Sequence, residues 1–225
     1  MPQEIFHGPY IINDSNELNF VSSDYKIYIM GKFEQAPCAE TLANLQSMID
    51  SVPVHPIYKP NSFKMKTPYE LPKSNPMAFD VYIQSYGGDF EVLCQFSSLF
   101  GLAKSRGIII RTFIPSLACS CASMLAIQGT PGYRIMGENA RHKVHFGRTV
   151  NDVELAPEID KAYEDMKNHA EATAKIYLSN THIPKTKFDQ LRSDNYGYLN
   201  SKDCLKFGFC DWILTNNGEF ISKQK

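Results

Sequence analysis

The chain has 225 residues, 43% of them hydrophobic and 21% charged, enough for one globular domain (1–225) with a sizeable core. Its formal net charge of −1 excludes a general electrostatic pull toward nucleic acid or an anionic membrane surface. No stretch nears the roughly 18–20 unbroken apolar residues of a spanning helix.

The first residues, Met1-Pro2-Gln3-Glu4, lack the basic run and apolar core of a secretory signal. The expected location is therefore cytoplasmic, and Cys38, Cys94, Cys119, Cys121, Cys204 and Cys210 are expected as reduced thiols. None has zinc-ligand spacing, so neither metal nor cofactor is expected. Residues 1–23 are expected to be a mobile N-terminal segment. Asp24 to Gly31 alternates apolar and polar residues and predicts a strand. Glu40 to Ile49 carries Leu42, Leu45 and Met48 at helical spacing. Residues 51–75 hold Pro53, Pro56, Pro60, Pro68 and Pro72 with several lysines, which predicts a long and mobile surface loop. Phe79 to Gln84 predicts a strand ending at a Gly87-Gly88 turn, and Asp89 is placed to cap a helix reaching Arg106. Leu93, Phe96, Phe100 and Ala103 fall on its inner face. After Gly107, the run Ile108-Ile109-Ile110 predicts a buried strand to Ile114. A short helix is expected over Ser123 to Ile127, then two short strands around Arg134 and Val144. A long helix is expected from Pro157 to about Leu178, burying Ile159, Tyr163, Met166, Ala170, Ala174 and Tyr177. Residues 199–213 predict a short helix and a last strand. Repeated β-α-β-α order argues for an α/β domain with crossover helices.

Three local features carry chemistry. Ser123 follows a run of small residues at a strand-to-helix junction, where a hydroxyl can project from a tight turn beside helix N-terminal amides. The same setting suits an ordinary helix N-cap, and Ser120, Cys119 and Cys121 are rival nucleophiles. His142 and His145 lie on a strand-like segment just downstream, three apart, so they face opposite sides and only one can meet Ser123. Gly87-Gly88 exposes main-chain amides suited to an oxyanion or to an extended peptide, or simply makes a turn. No phosphate-binding glycine loop is present.

Taken in order, these features resemble a known family. Ile83-Gln84-Ser85-Tyr86-Gly87-Gly88 resembles the Ile-Asn-Ser-Pro-Gly-Gly motif of the Clp protease proteolytic subunit (ClpP). Cys121-Ala122-Ser123-Met124 is similar to its Ala-Ala-Ser-Met around the nucleophile. Arg141 to His145 resembles its Arg-Val-Met-Ile-His, and Leu199 to Asp211 its Leu-Ser-Ala-x-Glu-Ala-x-x-Tyr-Gly-Leu-x-Asp ending. The likeness runs from about Tyr25 to Ile213. There are departures. Tyr86 stands where the family has proline, and Leu125 where a glycine follows Ser-Met. The stretch from Ser123 to Arg134 is shorter by a few residues. The strand Phe146-Gly147-Arg148-Thr149-Val150 keeps one glycine, and residues 51–75 resemble an insertion.

The resemblance implies a ClpP/crotonase-like α/β spiral of repeated β-β-α units, with a protruding helix after the catalytic histidine. It implies a serine endopeptidase with Ser123 as nucleophile and His145 as base. Asp194 is assigned as the third member by counting forward from His145. Counting back from Gly208 reaches Tyr196 instead, and Asn195 and Asp189 are alternatives. Gly87, Gly88, Met124 and Phe146 are expected around the oxyanion and substrate. The family further implies unfolded polypeptide as substrate, stacked seven-membered rings enclosing the sites, and an AAA+ ATPase unfoldase as partner. The competing readings are a catalytically impaired ring subunit, a capsid-maturation or signal-peptide-degrading peptidase, and an acyl-CoA enzyme of the crotonase type.

Overall fold

A computed structural model of the chain describes residues 19–21, 24–60, 64–144, 156–193 and 197–223. In chain order the elements are β1 (Asn19–Val21), β2 (Lys26–Ile29), α1 (Gln35–Ser51), β3 (Ala78–Ile83), α2 (Phe90–Ser105), β4 (Ile109–Ile114) and β5 (Leu117–Cys119). There follow α3 (Cys121–Ala126), β6 (Arg134–Gly137), β7 (Arg141–Val144), α4 (Ala156–Asn180), α5 (Lys185–Ser193), β8 (Gly197–Asn200), α6 (Ser201–Phe207), β9 (Trp212–Leu214) and β10 (Phe220–Ser222). The fold is mixed α/β. A seven-stranded sheet has the order β1-β2-β3-β4-β6-β9-β10, and a three-stranded sheet the order β5-β7-β8.

The inner strands β2, β3, β4, β6 and β9 run parallel. Their residues show why: β3 alternates buried and half-buried positions, whereas β4 (Ile-Ile-Arg-Thr-Phe-Ile) is buried almost throughout, as a central parallel strand must be. The chain passes from sheet to sheet in pairs, β4 to β5 and then β6 to β7, with α3 and α4 following the second strand of each pair. The helix α2 buries Val92, Leu93, Phe96, Phe100 and Ala103 against α1 and the sheet, the expected stripe. The predicted stripe on α4 is different. Tyr177 is fully buried, but Tyr163 is 66% and Met166 50% exposed, because the helix meets the core only in its C-terminal turns. The side chain of Ile159 lies outside the described residues.

Residues 52–77 contain no helix or strand among those described, as the prolines require, yet they are pinned down. The Arg111 guanidinium donates from Nε to the Pro68 carbonyl at 2.8 Å, ion-pairs with Asp80 and stacks over the Tyr69 ring at 4.7 Å. Tyr133 Oη donates to the Glu70 carbonyl at 3.1 Å, and Asn75 Nδ2 donates to the carbonyls of Gly107 and Pro56. The expectation of a mobile loop misses these anchors because their donors sit far away in sequence.

A second largely buried ion pair, besides Arg111–Asp80, joins β6 to the start of β9. Arg134 holds Asp211 in a two-pronged pair, Nε to Oδ2 at 2.9 Å and Nη2 to Oδ1 at 2.7 Å. Its Nη1 donates to the Asn180 carbonyl at 2.8 Å, and Asp211 also accepts the Gly132 amide at 2.8 Å. This cluster ties β6, β9 and the end of α4 together. Removing one partner of such a pair strands a buried charge. Asp211→Ala is expected to cost about 3 kcal/mol in urea denaturation, and a loss under about 0.5 kcal/mol would show that the cluster is not structural.

Candidate active site

Three parallel segments end at one place. Ser85, just past β3, exchanges main-chain bonds with β5: its amide donates to the Leu117 carbonyl at 3.2 Å and its carbonyl accepts the Cys119 amide at 2.9 Å. The strand β5 pairs with β7 in the register Leu117 to Arg141, Ala118 to His142 and Cys119 to Lys143. The pairing continues one residue further, where the Ser120 amide donates to the Lys143 carbonyl at 3.1 Å. The carboxyl ends of β3, β5 and β7 thus converge on Ser120.

Ser120 has a backbone of φ 51°, ψ −124°, a left-handed-side conformation that a non-glycine residue adopts only under constraint. It turns the chain from β5 directly into α3, and it is partly exposed. This is the strand–turn–helix geometry of a nucleophile elbow, which thrusts the residue at its tip outward. The Gly87-Gly88 turn presses on it. A Cβ on Gly87 would meet Ser120 Cβ and the Cys119 carbonyl at 2.8 Å, and the Cys121 amide at 2.9 Å. Gly87 stands at φ 92°, which also favours glycine. Gly88 is held by Phe33: the Phe33 amide donates to the Gly87 carbonyl, and the Asp89 amide donates to the Phe33 carbonyl. The Gly88 carbonyl accepts the Cys121 thiol at 3.0 Å. Its amide has no partner among the described residues, and the Cys121 amide opens the first turn of α3, where intrahelical partners do not exist. Two bare donors therefore flank the tip of the elbow.

The sequence expectation placed Ser123 at the helix start. The helix starts at Cys121, so Ser123 lies inside its first turn and is fully buried. Ser123 Oγ lies 2.8 Å from His142 Nδ1, and His142 is fully buried too. The Tyr177 phenol, from α4, faces the same serine. Of the two candidate histidines, His142 is the one brought to Ser123. His145, Phe146 and Asp194 lie outside the described residues. The Met124 amide donates to the Ser120 carbonyl at 3.0 Å, because Met124 is the fourth residue past the helix cap. It is therefore occupied within the helix, a correction to its expected oxyanion role. The two neighbouring thiols are poor nucleophiles. Burial pushes the Cys121 thiol up to about 11 and raises that of Cys119. All six cysteines are free thiols, and no metal-binding cluster occurs among the described residues.

A family model described as Clp protease matches residues 72–217, about two-thirds of the chain, and the chain belongs to that family. A protein named ATP-dependent Clp protease proteolytic subunit from Mesostigma viride is 26% identical over 146 residues, 64% of this chain and 61% of that protein. A proteolytic subunit 2 from Streptomyces coelicolor is 29% identical over 143 residues, 60% of each chain. One from Streptococcus thermophilus is 24% identical over 139 residues, 61% of this chain and 68% of that protein. The chain thus spans about three-fifths of the length of the first two. No helix among the described residues is long and apolar enough to cross a membrane.

Burial holds the His142 imidazole down at about 3, with the charge of Arg134 adding to the effect. The unfolded chain protonates the same ring near pH 6.5. Between those values the unfolded state binds the extra proton and the folded state does not. His142 therefore makes stability fall as pH drops below about 6.5, by up to about 1.4 kcal/mol per pH unit, and adds no slope above neutrality. Urea denaturation at pH 6, 5 and 4 is expected to show a shallower acid loss in His142→Asn than in the wild type. Parallel slopes would mean that the ring is protonated in place.

Proposed function

We propose that this chain is the proteolytic subunit of a Clp-type serine peptidase, with Ser120 rather than Ser123 as its nucleophile. One observation carries the assignment: Ser120 occupies the strained, partly exposed tip of the β5–α3 turn, against the Gly87-Gly88 main chain. Ser123 is sealed from any substrate. His145 comes two residues after Lys143, whose carbonyl accepts the Ser120 amide, so the sequence delivers an imidazole to the neighbourhood of the elbow.

In this reading the Ser120 hydroxyl attacks the peptide carbonyl and His145 takes its proton, then passes it to the leaving amine. Asp194 orients His145. The amides of Gly88 and Cys121 receive the oxyanion, each such donor lowering the barrier by about 3 kcal/mol. An extended substrate pairs through main chain beside Gly87-Gly88 and, across the site, at Phe146, which reads little sequence and suits unfolded polypeptide. The exposed Tyr163 and Met166 on α4 are apolar groups that self-association would cover, in keeping with rings that enclose the sites. ATP dependence then belongs to a separate AAA+ unfoldase, and the location in this reading is cytoplasmic. The spiral of β-β-α units is our reading of the alternation between the two sheets.

Reaction with a fluorophosphonate and hydrolysis of a small peptide ester test the assignment. Ser120→Ala is expected to abolish both, with turnover down by at least about 1,000-fold, while Ser123→Ala keeps covalent labelling. Labelling that survives in Ser120→Ala and vanishes in Ser123→Ala would return the nucleophile to Ser123. An unreactive wild-type protein would instead support an impaired ring subunit. Sedimentation of the same wild-type sample is expected to show a ring-sized particle, and a monomer at micromolar concentration would remove the chamber from the proposal.

A further inference from the structure

The Ser123–His142 pair is left without a role by a mechanism centred on Ser120. It is an odd feature for a core. Both residues are fully buried, and the ring packs edge-on against Phe209 at 5.3 Å between centroids. His142 Nε2 is buried and has no hydrogen-bond partner among the described residues. A histidine with one orphaned nitrogen destabilises the site relative to an apolar residue of similar size. What it supplies instead is direction: a hydrogen bond fixes an angle and a distance, which aliphatic packing leaves softer.

The placement of the pair gives that direction a use. The helix α3 has only six residues, too few to hold its own orientation without tertiary contacts. It is tied to β7 at two levels. At its cap, the Ser120 amide donates to the Lys143 carbonyl at 3.1 Å. Inside its first turn, Ser123 Oγ meets His142 Nδ1 at 2.8 Å. One tie alone would let the helix swing about it, and two ties on successive residues of the same strand prevent the swing. Tyr177 backs the second tie from α4, and its ring is itself packed between Phe188 and Phe209.

We propose that Ser123 and His142 form a buried brace that fixes the elbow of α3 against the end of β7, making both positioning residues rather than catalytic ones. The proposal rests on Ser120 being the nucleophile, and the test separates the two. The variants are Ser123→Ala, His142→Val, the double variant, His142→Asn and Ser120→Ala. Asn at position 142 can still reach Ser123 from the Nδ1 position. Fluorophosphonate labelling rate, ester kcat and KM and urea stability are measured on each, and hydrogen exchange of the Ser120 amide on those that keep Ser120. Loss of the brace is expected to slow labelling and kcat by at least about tenfold, with KM within about twofold. His142→Asn is expected to recover most of that rate. The Ser120 amide is expected to exchange at least about tenfold faster in Ser123→Ala than in the wild type.

The double variant is decisive, because it removes both polar groups and so relieves the stranded partner that each single variant leaves. Stability regained with labelling still slow supports the brace. Stability and labelling regained together overturn it and leave the pair as core filling. Should His142→Val fail to fold, Ser123→Ala and His142→Asn carry the comparison alone, and wild-type labelling and exchange in Ser123→Ala would overturn the brace. Labelling lost in Ser120→Ala but unchanged in the brace variants sinks the brace only. Labelling retained in Ser120→Ala sinks the nucleophile assignment. The exchange of the Ser120 amide reads the brace even in a protein without activity.

Discussion

The Gly87-Gly88 turn and the Cys119–Cys121 main chain touch at a distance that no side chain between them would survive. That contact organises the site. It requires β3 and β5 to end side by side, which the Ser85–Ala118 bridge provides. It requires Ser120 to bend sharply out of β5, which leaves the backbone at φ 51°. The surrounding main-chain bonds at Phe33, Ser85 and Lys143 over-determine that bend, and strain of this kind persists only where neighbours enforce it. The large sheet supplies rigidity, with β4 buried nearly end to end beneath the junction.

A second set of contacts sets the inner side of the site. Arg134 and Asp211 anchor the floor, and Ser123, His142 and Tyr177 fill the space between it and the elbow. The division is sharp. Polar groups on the inner side of α3 are sealed and point at one another, while those at its cap face outward. A short helix can serve both sides only because its cap residue, Ser120, reverses the chain so abruptly.

Much of this arrangement is legible in the residues themselves. The α2 stripe of Leu93, Phe96, Phe100 and Ala103, the isoleucine-rich β4 and the Gly87-Gly88 turn follow directly from spacing and composition. The helix cap does not. Ser120 and Ser123 are both serines in a run of small residues, and local propensity makes either a good cap. The signal that separates them is length: counted from Ser123, the stretch to Arg134 falls a few residues short of the family pattern, and counting from Ser120 restores three. The exposure of Tyr163 and Met166 was equally out of reach, since a helix period shows which residues share a face but not where the core ends along the axis. The anchors of residues 52–77 are hidden for another reason: Arg111 and Tyr133 lie more than forty positions beyond the carbonyls they bind.

Those anchors have a consequence for how the surface of this protein can change. Arg111, Tyr133 and Asn75 take hold of residues 56–70 at the oxygens of Pro56, Pro68 and Glu70, atoms that every amino acid carries. Apart from the Tyr69 ring under Arg111 and the Tyr58 ring edge-on to Tyr133 at 5.5 Å, the grip asks for a path rather than for particular side chains. Lys59, Lys64 and Lys66 are exposed along that path. Its outward chemistry is therefore free to be rewritten, in charge or in apolar character, while the scaffold beneath keeps the same hold.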